Sequence, residues 1–400
     1  MKIALVHDFL KEYGGAERVL ETLHEIWPKA PIYTAFIDRK GLGPHADRIK
    51  NWQIKTSFAQ KIPFISKLYS PLRFLAPLFF ASFDFSDFDV VISSTNAYYA
   101  KGILTKPETI HICYCHTPPR SLYGYQTRMN WQENFFTNIY GQIINYFLRK
   151  YDFLVSQRVN YFIANSQVVR VRIKKFYRRD SEVIYPPVEL KRIKELRNKG
   201  IKESDKYYLY VGKLAAAKNV NLAIEAALKM GFKLKVVGKG GEEESLKQLI
   251  SNYSSTRQQA GRSLQRSSSR QVRLGSNNNV EFLGEISDER LVELYTNCKA
   301  VIFPAVDEDF GIVPVEAMSF GKPVIAYKSG GVVETVIDGK TGALFDKPTV
   351  ESLTLAIKQL NNLKVKPSDC INQAGKFSKE AFKRNMVEFV KRVIKKNPQA

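Results

Sequence analysis

Short apolar runs alternate with longer amphipathic stretches along most of the chain. The run KIALVHD near the start is followed by GGAERVLETLHEIW, in which the apolar residues Val19, Leu20, Leu23 and Ile26 recur at helical spacing. Further apolar runs of strand length are DVVISS, TIHICYCH and YFIANS, and Ser166 is placed to cap the helix QVVRVRIKKFY. This alternation predicts an α/β fold in which helices cover both faces of a parallel sheet.

The alternation stops once and then restarts. Two prolines in VIYPPVEL predict an extended linker. Beyond it, YYLYVGKL, KLKVVGKG, VEFLGEI, AVIFPA and PVIAY are predicted strands, and helical patterns separate most of them. We therefore predict two Rossmann-like domains, residues 1–186 and 187–376. Ligands of open α/β sheets bind beyond the carboxyl ends of the strands, so we expect the two domains to face each other across a cleft.

Two segments differ in composition from the rest. Residues 251–279 contain five arginines, no acid and almost no apolar residue, which predicts a solvated, disordered surface loop inserted in the second domain. RNA binding by this loop is the alternative, but no aromatic platform on which bases could stack accompanies the arginines, so the solvated loop is favoured. Residues 377–400 contain a basic amphipathic helix. Such a helix usually packs on a core, and the alternative is a membrane-surface face.

Composition narrows the class of protein. The 400 residues include 61 Lys and Arg and 39 Asp and Glu, which gives a formal net charge of +22. This charge predicts a polyanionic partner, which is nucleic acid, an anionic membrane or a phosphorylated small molecule. The four cysteines form no C-x-x-C pair, so we expect buried, reduced thiols. The first apolar run ends at His7-Asp8 and is expected to be a strand rather than a signal peptide. The longest apolar stretch, FLAPLFFASF, contains Pro77 and is half the length of a membrane span. A cytoplasmic protein, soluble or peripheral at the inner face of a membrane, is predicted.

The stretch EDFGIVPVEAMSFGKPVIAYKSGG places two acids beside a predicted helix start. Pro314 is expected at the first helical position, Glu316 in the first turn and Gly321 just past the helix end. Free N–H groups at such a start, together with the helix dipole, attract an anion. Taken singly, Glu316 is explained as an acid complementing the dipole, and Glu308 as a solvated loop acid. Taken together at the end of a strand, they favour a ligand site.

Three further segments carry candidate chemistry. Lys213 and Lys218 follow the strand YYLYV, where both could reach a phosphate, although a pair of plain surface lysines is an equal alternative. His116 ends a strand before two prolines, so we expect it to face the cleft rather than a core and to contact a substrate. Gly15 belongs to a glycine-rich turn that is, alone, a weak phosphate signal. Cys113, Cys115 and His116 alternate faces without a fourth ligand, so no metal is expected.

These motifs together resemble the retaining glycosyltransferases of family 4, which have the two-domain GT-B fold. The resemblance covers nearly the whole chain through ALVHDFL, GGAERVLE, ICYCHTPPR, FIANS, VIYPPV, VGKL, VEFLGEIS, EDFGIVPVEAMSFGKPVIA and SGGVVETVIDGKTGALF. Within the family, the bacterial O-antigen and capsule mannosyltransferases are the most similar. The resemblance implies an acceptor-side first domain, a nucleotide-sugar-binding second domain and a helix at 377–400 that returns to the first domain.

The resemblance also implies residue roles. In the second domain, Glu308 would contact the donor sugar, and Glu316 would hold the nucleotide ribose. Backbone amides would face the sugar and phosphates at Phe310, Gly311, Ile312 and Val313. Lys213 and Lys218 stand where the family has an Arg and a Lys on the diphosphate. Lys213 departs from that pattern, because it supplies charge without the bidentate fork of arginine.

In the first domain, the resemblance assigns His116 to the sugar near its reacting carbon and the amide of Gly15 to the diphosphate. The implied reaction is a retaining, metal-independent sugar transfer without a cofactor. The most favoured donor is GDP-mannose, and the acceptor is a lipid-linked polysaccharide or glycan. A UDP- or ADP-sugar donor is the alternative on the same fold. A basic nucleic-acid-binding protein is the alternative of another class, but it leaves Glu308, Glu316 and His116 unexplained. We therefore expect no specific nucleic acid partner, and an anionic membrane surface as a further partner.

Overall fold

A computed structural model of the protein describes residues 1–96, 99–125, 135–190, 207–265 and 279–397. The chain folds as two compact units. Met1–Pro187 and Phe377–Ala400 form the first unit, and Val188–Lys376 form the second. Within the described ranges, no helix is both long and apolar enough to cross a membrane.

The first unit is built on a seven-stranded sheet with the strand order β3-β2-β1-β4-β5-β6-β7. The strands are β1 Ile3–His7, β2 Ile32–Thr34, β3 Ile54–Thr56, β4 Val90–Thr95, β5 Ile110–Cys115, β6 Tyr161–Ala164 and β7 Ser181–Val183. Each described pairing between them is parallel. The four long apolar runs are strands, as predicted. The sequence analysis missed β2, β3 and β7, because three residues are too few to show a pattern.

Helices cover this sheet. They are α1 Gly15–Ile26, α2 Arg39–Leu42, α3 Ile65–Leu68, α4 Ala76–Ala81, α5 Phe135–Arg158 and α6 Gln167–Tyr177. The predicted cap of α6 is confirmed, because the Ser166 hydroxyl accepts a hydrogen bond from the Val169 N–H at 3.1 Å. Side chains from both faces of the sheet are buried under the helices, so this unit has the predicted α/β architecture.

The second unit repeats the plan with a six-stranded parallel sheet of order β10-β9-β8-β11-β12-β13. Its strands are β8 Tyr207–Val211, β9 Leu234–Val237, β10 Val280–Gly284, β11 Cys298–Phe303, β12 Val324–Tyr327 and β13 Gly342–Phe345. Its helices are α7 Val220–Met230, α8 Glu243–Gln265, α9 Asp288–Asn297, α10 Ile312–Ser319, α11 Val332–Thr335, α12 Val350–Asn362 and α13 Pro367–Gly375. The predicted strands after the linker are all present.

The predicted disordered loop at 251–279 is wrong for its first half. Residues 251–265 continue helix α8, and residues 266–278 lie outside the described part of the chain. The helix begins in a segment that packs on the core of the second unit, where Leu246 is buried and Leu249, Ile250 and Tyr253 are partly buried. Once such a helix is anchored, each further Ser, Gln or Arg costs little to add. Composition alone therefore underestimated the order of this segment.

The C-terminal helix α14, Lys379–Lys396, belongs to the first unit, as predicted. Its apolar side is buried in the core beneath β1 and β5, through Phe382, Met386, Phe389, Val390 and Val393. Lys379 and Lys383 both pair with Glu25 of α1 at 2.6 Å. The apolar face of this helix is therefore packed on protein and is not available to a membrane, whereas contact of its basic side with anionic lipid stays a prediction. Residues 398–400 lie outside the described range.

In both sheets, successive strands of the chain are added first toward one edge of the sheet and then toward the other, and the change occurs at one point. In the first unit this point lies between β1 and β4, and in the second between β8 and β11. At such a point the connections leave in opposite directions, so a crevice opens beyond the carboxyl ends of the two strands. Each unit therefore has one preferred place for a ligand, and the candidate residues can be compared with it.

Candidate active site

In the second unit, Lys218 and Glu308 meet at the reversal point of the sheet. Lys218 ends a short turn, Ala216–Lys218, that follows β8, and Glu308 lies in the loop after β11. The Lys218 ammonium donates a hydrogen bond to the Glu308 carboxylate, and about a quarter of each side chain is exposed. The two loops are also joined by their backbones, because the Val306 N–H donates to the Ala217 carbonyl at 3.0 Å. The structure thus brings together two residues that the sequence analysis selected separately.

The glycine pair at 330–331 explains the position of Glu308. A Cβ added to Gly330 would lie 2.2 Å from the carbonyl oxygen of Glu308, and Gly330 has a φ of +72°. The Gly331 N–H donates to the same carbonyl at 2.7 Å. Only glycine permits this approach of two backbones. The backbone of the loop that carries Glu308 is therefore held in place by the segment that follows β12.

Helix α10 starts earlier than the sequence predicted. It begins at Ile312, so Pro314 is its third residue and Glu316 lies in its second turn, which corrects both expectations. Proline is tolerated there because the first four N–H groups of a helix have no partner within it. Gly311 precedes the helix with a φ of +88°, and Phe310 before it is buried. The predicted end holds, with Gly321 just past the helix at a φ of +72°.

Glu316 has a protein partner that the sequence analysis missed. The Tyr295 hydroxyl, from α9, donates a hydrogen bond to the Glu316 carboxylate at 3.0 Å. The Tyr295 ring stacks on Phe320 with 5.2 Å between ring centres, which fixes the hydroxyl. Since Glu316 is in the second turn, its interaction with the helix dipole is weaker than expected for a first-turn acid. Tyr295 sits at an ordinary apolar position of α9, so the sequence carried no signal for it.

Lys213 lies in the same corner of the second unit. Its side chain is exposed, and its carbonyl accepts a hydrogen bond from the Tyr210 hydroxyl at 3.1 Å. Burial raises the pKa of Tyr210 far above its usual range, and the negative charge of Glu308 adds to the shift. The Tyr210 hydroxyl therefore stays protonated and holds the turn that carries Lys213.

In the first unit, His116 ends a chain of polar contacts beneath the reversal point. Its Nε2 lies 2.8 Å from the Ser94 hydroxyl, and Ser94 lies 3.2 Å from His7 Nδ1. His7 Nε2 in turn lies 3.5 Å from a Glu17 carboxylate oxygen. These four side chains come from the ends of β5, β4 and β1 and from α1.

His116 is 7% exposed, so the expectation that it faces away from a core is wrong. Its ring packs edge-on against Tyr114, with ring centres 5.2 Å apart. Burial, and then the neighbouring His7, lower the pKa of His116 to about 3. The imidazole is therefore neutral at ordinary pH, and it can donate or accept a hydrogen bond but carries no charge.

Gly15 is linked to the same network. It is the first residue of α1, and the preceding Gly14 N–H donates to the Glu17 carboxylate at 2.8 Å. Glu17 therefore connects the glycine turn to His7 and, through Ser94, to His116. The sequence analysis missed His7, Ser94 and Glu17 as site residues. A signal for His7 and Ser94 was available, because both are polar residues at the ends of otherwise apolar strands, β1 and β4. These two strands become neighbours only in the folded sheet.

The acids, histidines and thiols of the described ranges bear on metal binding and on thiol chemistry. Across the described ranges, no group of three or more His, Cys, Asp or Glu residues is placed to hold a metal ion. The four cysteines are buried thiols outside any disulfide, as the sequence predicted. Burial raises the pKa of Cys113 and Cys298 to about 12, so these thiols stay protonated and inert.

Comparison with known proteins gives the family. Residues 13–192 match the family described as Glycosyltransferase Family 4, and residues 191–261 and 260–377 match Glycosyl transferases group 1. The chain is 31% identical over 197 residues to the alpha-1,3/1,6-mannosyltransferase ALG2 of Dictyostelium discoideum, covering 48% of this chain and 47% of that protein. It is 25% identical over 335 residues to human ALG2, covering 77% and 74%.

Solved structures share the fold. HepE of Anabaena, in complex with UDP and glucose, superposes with a TM-score of 0.65 at 19% identity, covering 98% of this chain and 99% of that one. Sucrose-phosphate synthase of Thermosynechococcus elongatus gives 0.69 at 18% identity with the same coverage. The two family matches span residues 13–377, and both units have the parallel α/β architecture. The chain therefore belongs to glycosyltransferase family 4 and has the GT-B fold.

Proposed function

We propose that the protein is a retaining, metal-independent hexosyltransferase that moves mannose from GDP-mannose to a lipid-linked polysaccharide or glycan acceptor. The observation that carries this proposal is the Lys218–Glu308 pair at the reversal point of the second sheet, beside the start of α10. A cation and an acid, each about a quarter exposed at a ligand crevice, match a diphosphate and a sugar hydroxyl respectively. Lys218 would take the diphosphate, and Glu308 would accept from the sugar.

The charge that develops in the reaction fits the groups at this corner. When the bond from the anomeric carbon to the phosphate oxygen breaks, negative charge grows on the leaving diphosphate. Lys218, Lys213 and the free amides at the start of α10 supply fixed positive potential for it, without a metal ion. Glu316, oriented by Tyr295, offers a carboxylate to the two ribose hydroxyls. The two lysines and the α10 amides stabilise the growing charge strongly because the folded protein has already positioned them.

For the first unit, we carry over the family role of His116, contact with the transferred sugar, and that of Gly15, an amide toward the diphosphate. A neutral His116 would serve by hydrogen bonding and not as a proton donor in the usual pH range. Retention then requires attack from the side on which the phosphate leaves. The acceptor oxygen bonds to the anomeric carbon, and its proton passes to the leaving phosphate oxygen. This route needs no nucleophile from the protein.

The donor assignment rests on relatives. ALG2 is named a mannosyltransferase, which favours mannose and hence GDP-mannose. HepE was solved with UDP, which supports a UDP-sugar as the second candidate. The test is calorimetric titration of the protein with GDP, UDP and ADP, each with and without its sugar. Tighter binding of GDP supports the proposal. A preference for UDP or ADP would replace the donor and leave the reaction class intact.

The acceptor and location belong to the same proposal. A lipid-linked acceptor would place the protein in the cytoplasm, at the inner face of a membrane. Transfer is tested with GDP-mannose and a lipid-linked glycan, with the product followed by mass. If the protein instead binds RNA or DNA tightly, shows no nucleotide-sugar binding and transfers nothing, the basic nucleic-acid-binding alternative is supported.

A further inference from the structure

Helix α5, Phe135–Arg158, presents apolar side chains to the outside. Large hydrophobic residues on it are exposed, with Phe136 at 79%, Phe147 at 62% and Ile143 at 53%. Others on the helix are Phe135, Ile139, Tyr140, Tyr146 and Leu154. At 100° per residue, these positions fall on one continuous side of the helix. An isolated exposed leucine is ordinary, but a full side of aromatic and aliphatic residues is not.

The opposite side of α5 is the one that packs on the first unit. Its buried residues are mostly small or polar: Gly141, Asn145, Leu148, Asp152, Val155 and Ser156. Asp152 is fully buried, and it pairs with Lys101 and accepts from the Tyr123 hydroxyl at 2.9 Å. A surface helix of a water-soluble protein normally buries its apolar side and exposes its polar side. Helix α5 does the reverse, which indicates that its outer side faces something other than water.

A second segment extends this surface. The Tyr140 hydroxyl donates to the Pro71 carbonyl, and Arg73 donates to the Asn145 side-chain oxygen at 2.6 Å, so residues 71–75 lie against α5. This segment and its neighbours expose Phe74, Leu78, Leu68 and Phe64. We call the exposed apolar residues of 64–78 and of α5 the outer apolar surface.

The exposed charges on these segments are all positive. Residues 57–81 contain Lys61, Lys67 and Arg73 and no acid. Helix α5 contains Arg149, Lys150 and Arg158, and its single acid is the buried Asp152. Lys150 lies over the Tyr146 ring, 4.4 Å from its centre, within the apolar side of the helix. Apolar residues interspersed with lysines match acyl chains below anionic headgroups, because a long lysine side chain can extend its ammonium to the headgroup level.

We propose that the outer apolar surface binds the surface of an anionic phospholipid bilayer, with α5 lying in the plane of the membrane. Phe136, Ile143 and Phe147 would enter the boundary between headgroups and acyl chains. Lys67 and Lys150 would contact phosphate groups. The inference deepens the proposed function, on which it rests for a lipid-linked acceptor. It places the expected membrane contact on α5 and on residues 64–78.

The test is co-sedimentation of the full chain with vesicles of phosphatidylcholine alone or with phosphatidylglycerol added. Wild-type protein should pellet with the anionic vesicles, and salt should weaken the binding. The triple variant Phe136→Ser, Ile143→Ser, Phe147→Ser should bind at least about tenfold more weakly. Lys67→Glu with Lys150→Glu should lose roughly fivefold or more for each lysine, on anionic vesicles only.

A matched control comes from the second unit. On helix α12, Leu355 and Lys358 are also exposed, so Leu355→Ser with Lys358→Glu should leave vesicle binding unchanged. The insertion itself can be followed with Ile143→Cys carrying an environment-sensitive dye. The four native cysteines are buried, so labelling is selective. A blue shift on adding anionic vesicles, with none for a dye on Leu355→Cys, supports the inference.

Two results would overturn the inference. One is equal vesicle binding by wild type and both surface variants. The other is a wild-type dimer that becomes a monomer in the triple variant without any vesicle binding, which would make the surface a contact between copies. Calorimetry with GDP separates the two proposals. A chain that binds GDP but no vesicles contradicts only this inference, and a chain that binds vesicles but no nucleotide diphosphate contradicts only the proposed function.

Discussion

Lys218 and Glu308 form an ion pair although 90 residues separate them in the sequence. The pair joins the loops that follow β8 and β11. Among the described strands of this parallel sheet, these are the two neighbours whose connections leave toward opposite edges of the sheet. Each side chain is still about a quarter exposed, so both can exchange partners with a ligand.

Replacing Lys218 tests the phosphate assignment. A hydrogen bond from a charged group contributes roughly 1.5–3 kcal/mol. In Lys218→Ala that bond is lost, and Glu308 is left as an unpaired negative charge nearby. We therefore expect the dissociation constant of GDP to rise by roughly ten- to hundredfold in calorimetry.

Lys229→Ala is the matched control for this change. Lys229 also pairs with an acid, Glu351 at 3.0 Å, but the pair is exposed on a helix surface of the same unit. Its loss should leave GDP binding unchanged. An unaltered affinity in Lys218→Ala would remove Lys218 from the diphosphate site. Lys213→Arg should bind GDP at least as well as wild type, because it restores the fork that the family has.

Glu316 is tested through ligand-induced stabilisation. A ligand at a hundredfold excess over its dissociation constant stabilises a protein by about 2.7 kcal/mol. If Glu316 holds the ribose, Glu316→Gln should reduce the melting shift that GDP causes, and Tyr295→Phe should reduce it less. Melting curves with and without GDP give both values. An unchanged shift in Glu316→Gln would make this glutamate a structural partner of Tyr295 only.

The buried His116 makes stability depend on acid. Its pKa is about 3 in the folded protein and about 6.5 when unfolded, so between these values the unfolded state binds more protons. The free energy of unfolding should therefore fall as the pH drops below about 6.5, by about 1.4 kcal/mol per pH unit for this residue.

His111 contributes in the same way, because burial, and then Arg158 and Lys101, lower its pKa to about 3. We expect His116→Gln to reduce by about one the number of protons that the protein takes up on unfolding, measured from the pH dependence of urea unfolding. The proton taken up by His111 should remain. An unchanged slope would show that His116 is protonated in the folded protein. In the wild type, no titration of His116 should appear in the activity profile between pH 5 and 8.

Metal dependence separates two ways to stabilise a leaving diphosphate. If Lys218, Lys213 and the amides before α10 provide the positive charge, transfer should continue after extensive treatment with EDTA. The measurement is the initial rate of sugar transfer before and after chelation. A rate that collapses and returns with Mg²⁺ or Mn²⁺ would contradict the metal-independent part of the proposed function.

The C-terminal helix is predicted to be structural. Phe382 is 1% exposed and packs against Tyr114 with ring centres 5.8 Å apart. Phe382→Ala should lower the free energy of unfolding by about 3–5 kcal/mol. Arg384→Ala, on the same helix, should cost far less, and vesicle binding should change in neither variant. A wild-type melting temperature for Phe382→Ala would show that the helix is dispensable for the fold.

Local patterns were sufficient for most of the elements. Apolar runs such as IALVH and VVISST are buried on both faces, which is the condition that makes a strand apolar throughout. The Ser166 cap and the end of α10 at Gly321 depend on neighbouring residues only, and both were predicted. The start of α10 was misplaced, since proline is tolerated at several positions of a first turn. Residues 251–265 were misassigned because anchoring by Leu246 and its neighbours outweighs composition.

Long-range order decided the rest. The sequence marked Lys218, Glu308 and His116 as polar residues at strand ends, but their partners depend on which strands become neighbours. Ser94 and His7 reach His116 only because β4 lies between β1 and β5. Helix α5 shows the same limit in another form. Its residues determine that one side is apolar. That this side points outward is decided by the partners that the first unit supplies to Asp152 and Asn145 on the other side, because these polar groups are buried only where they can be paired.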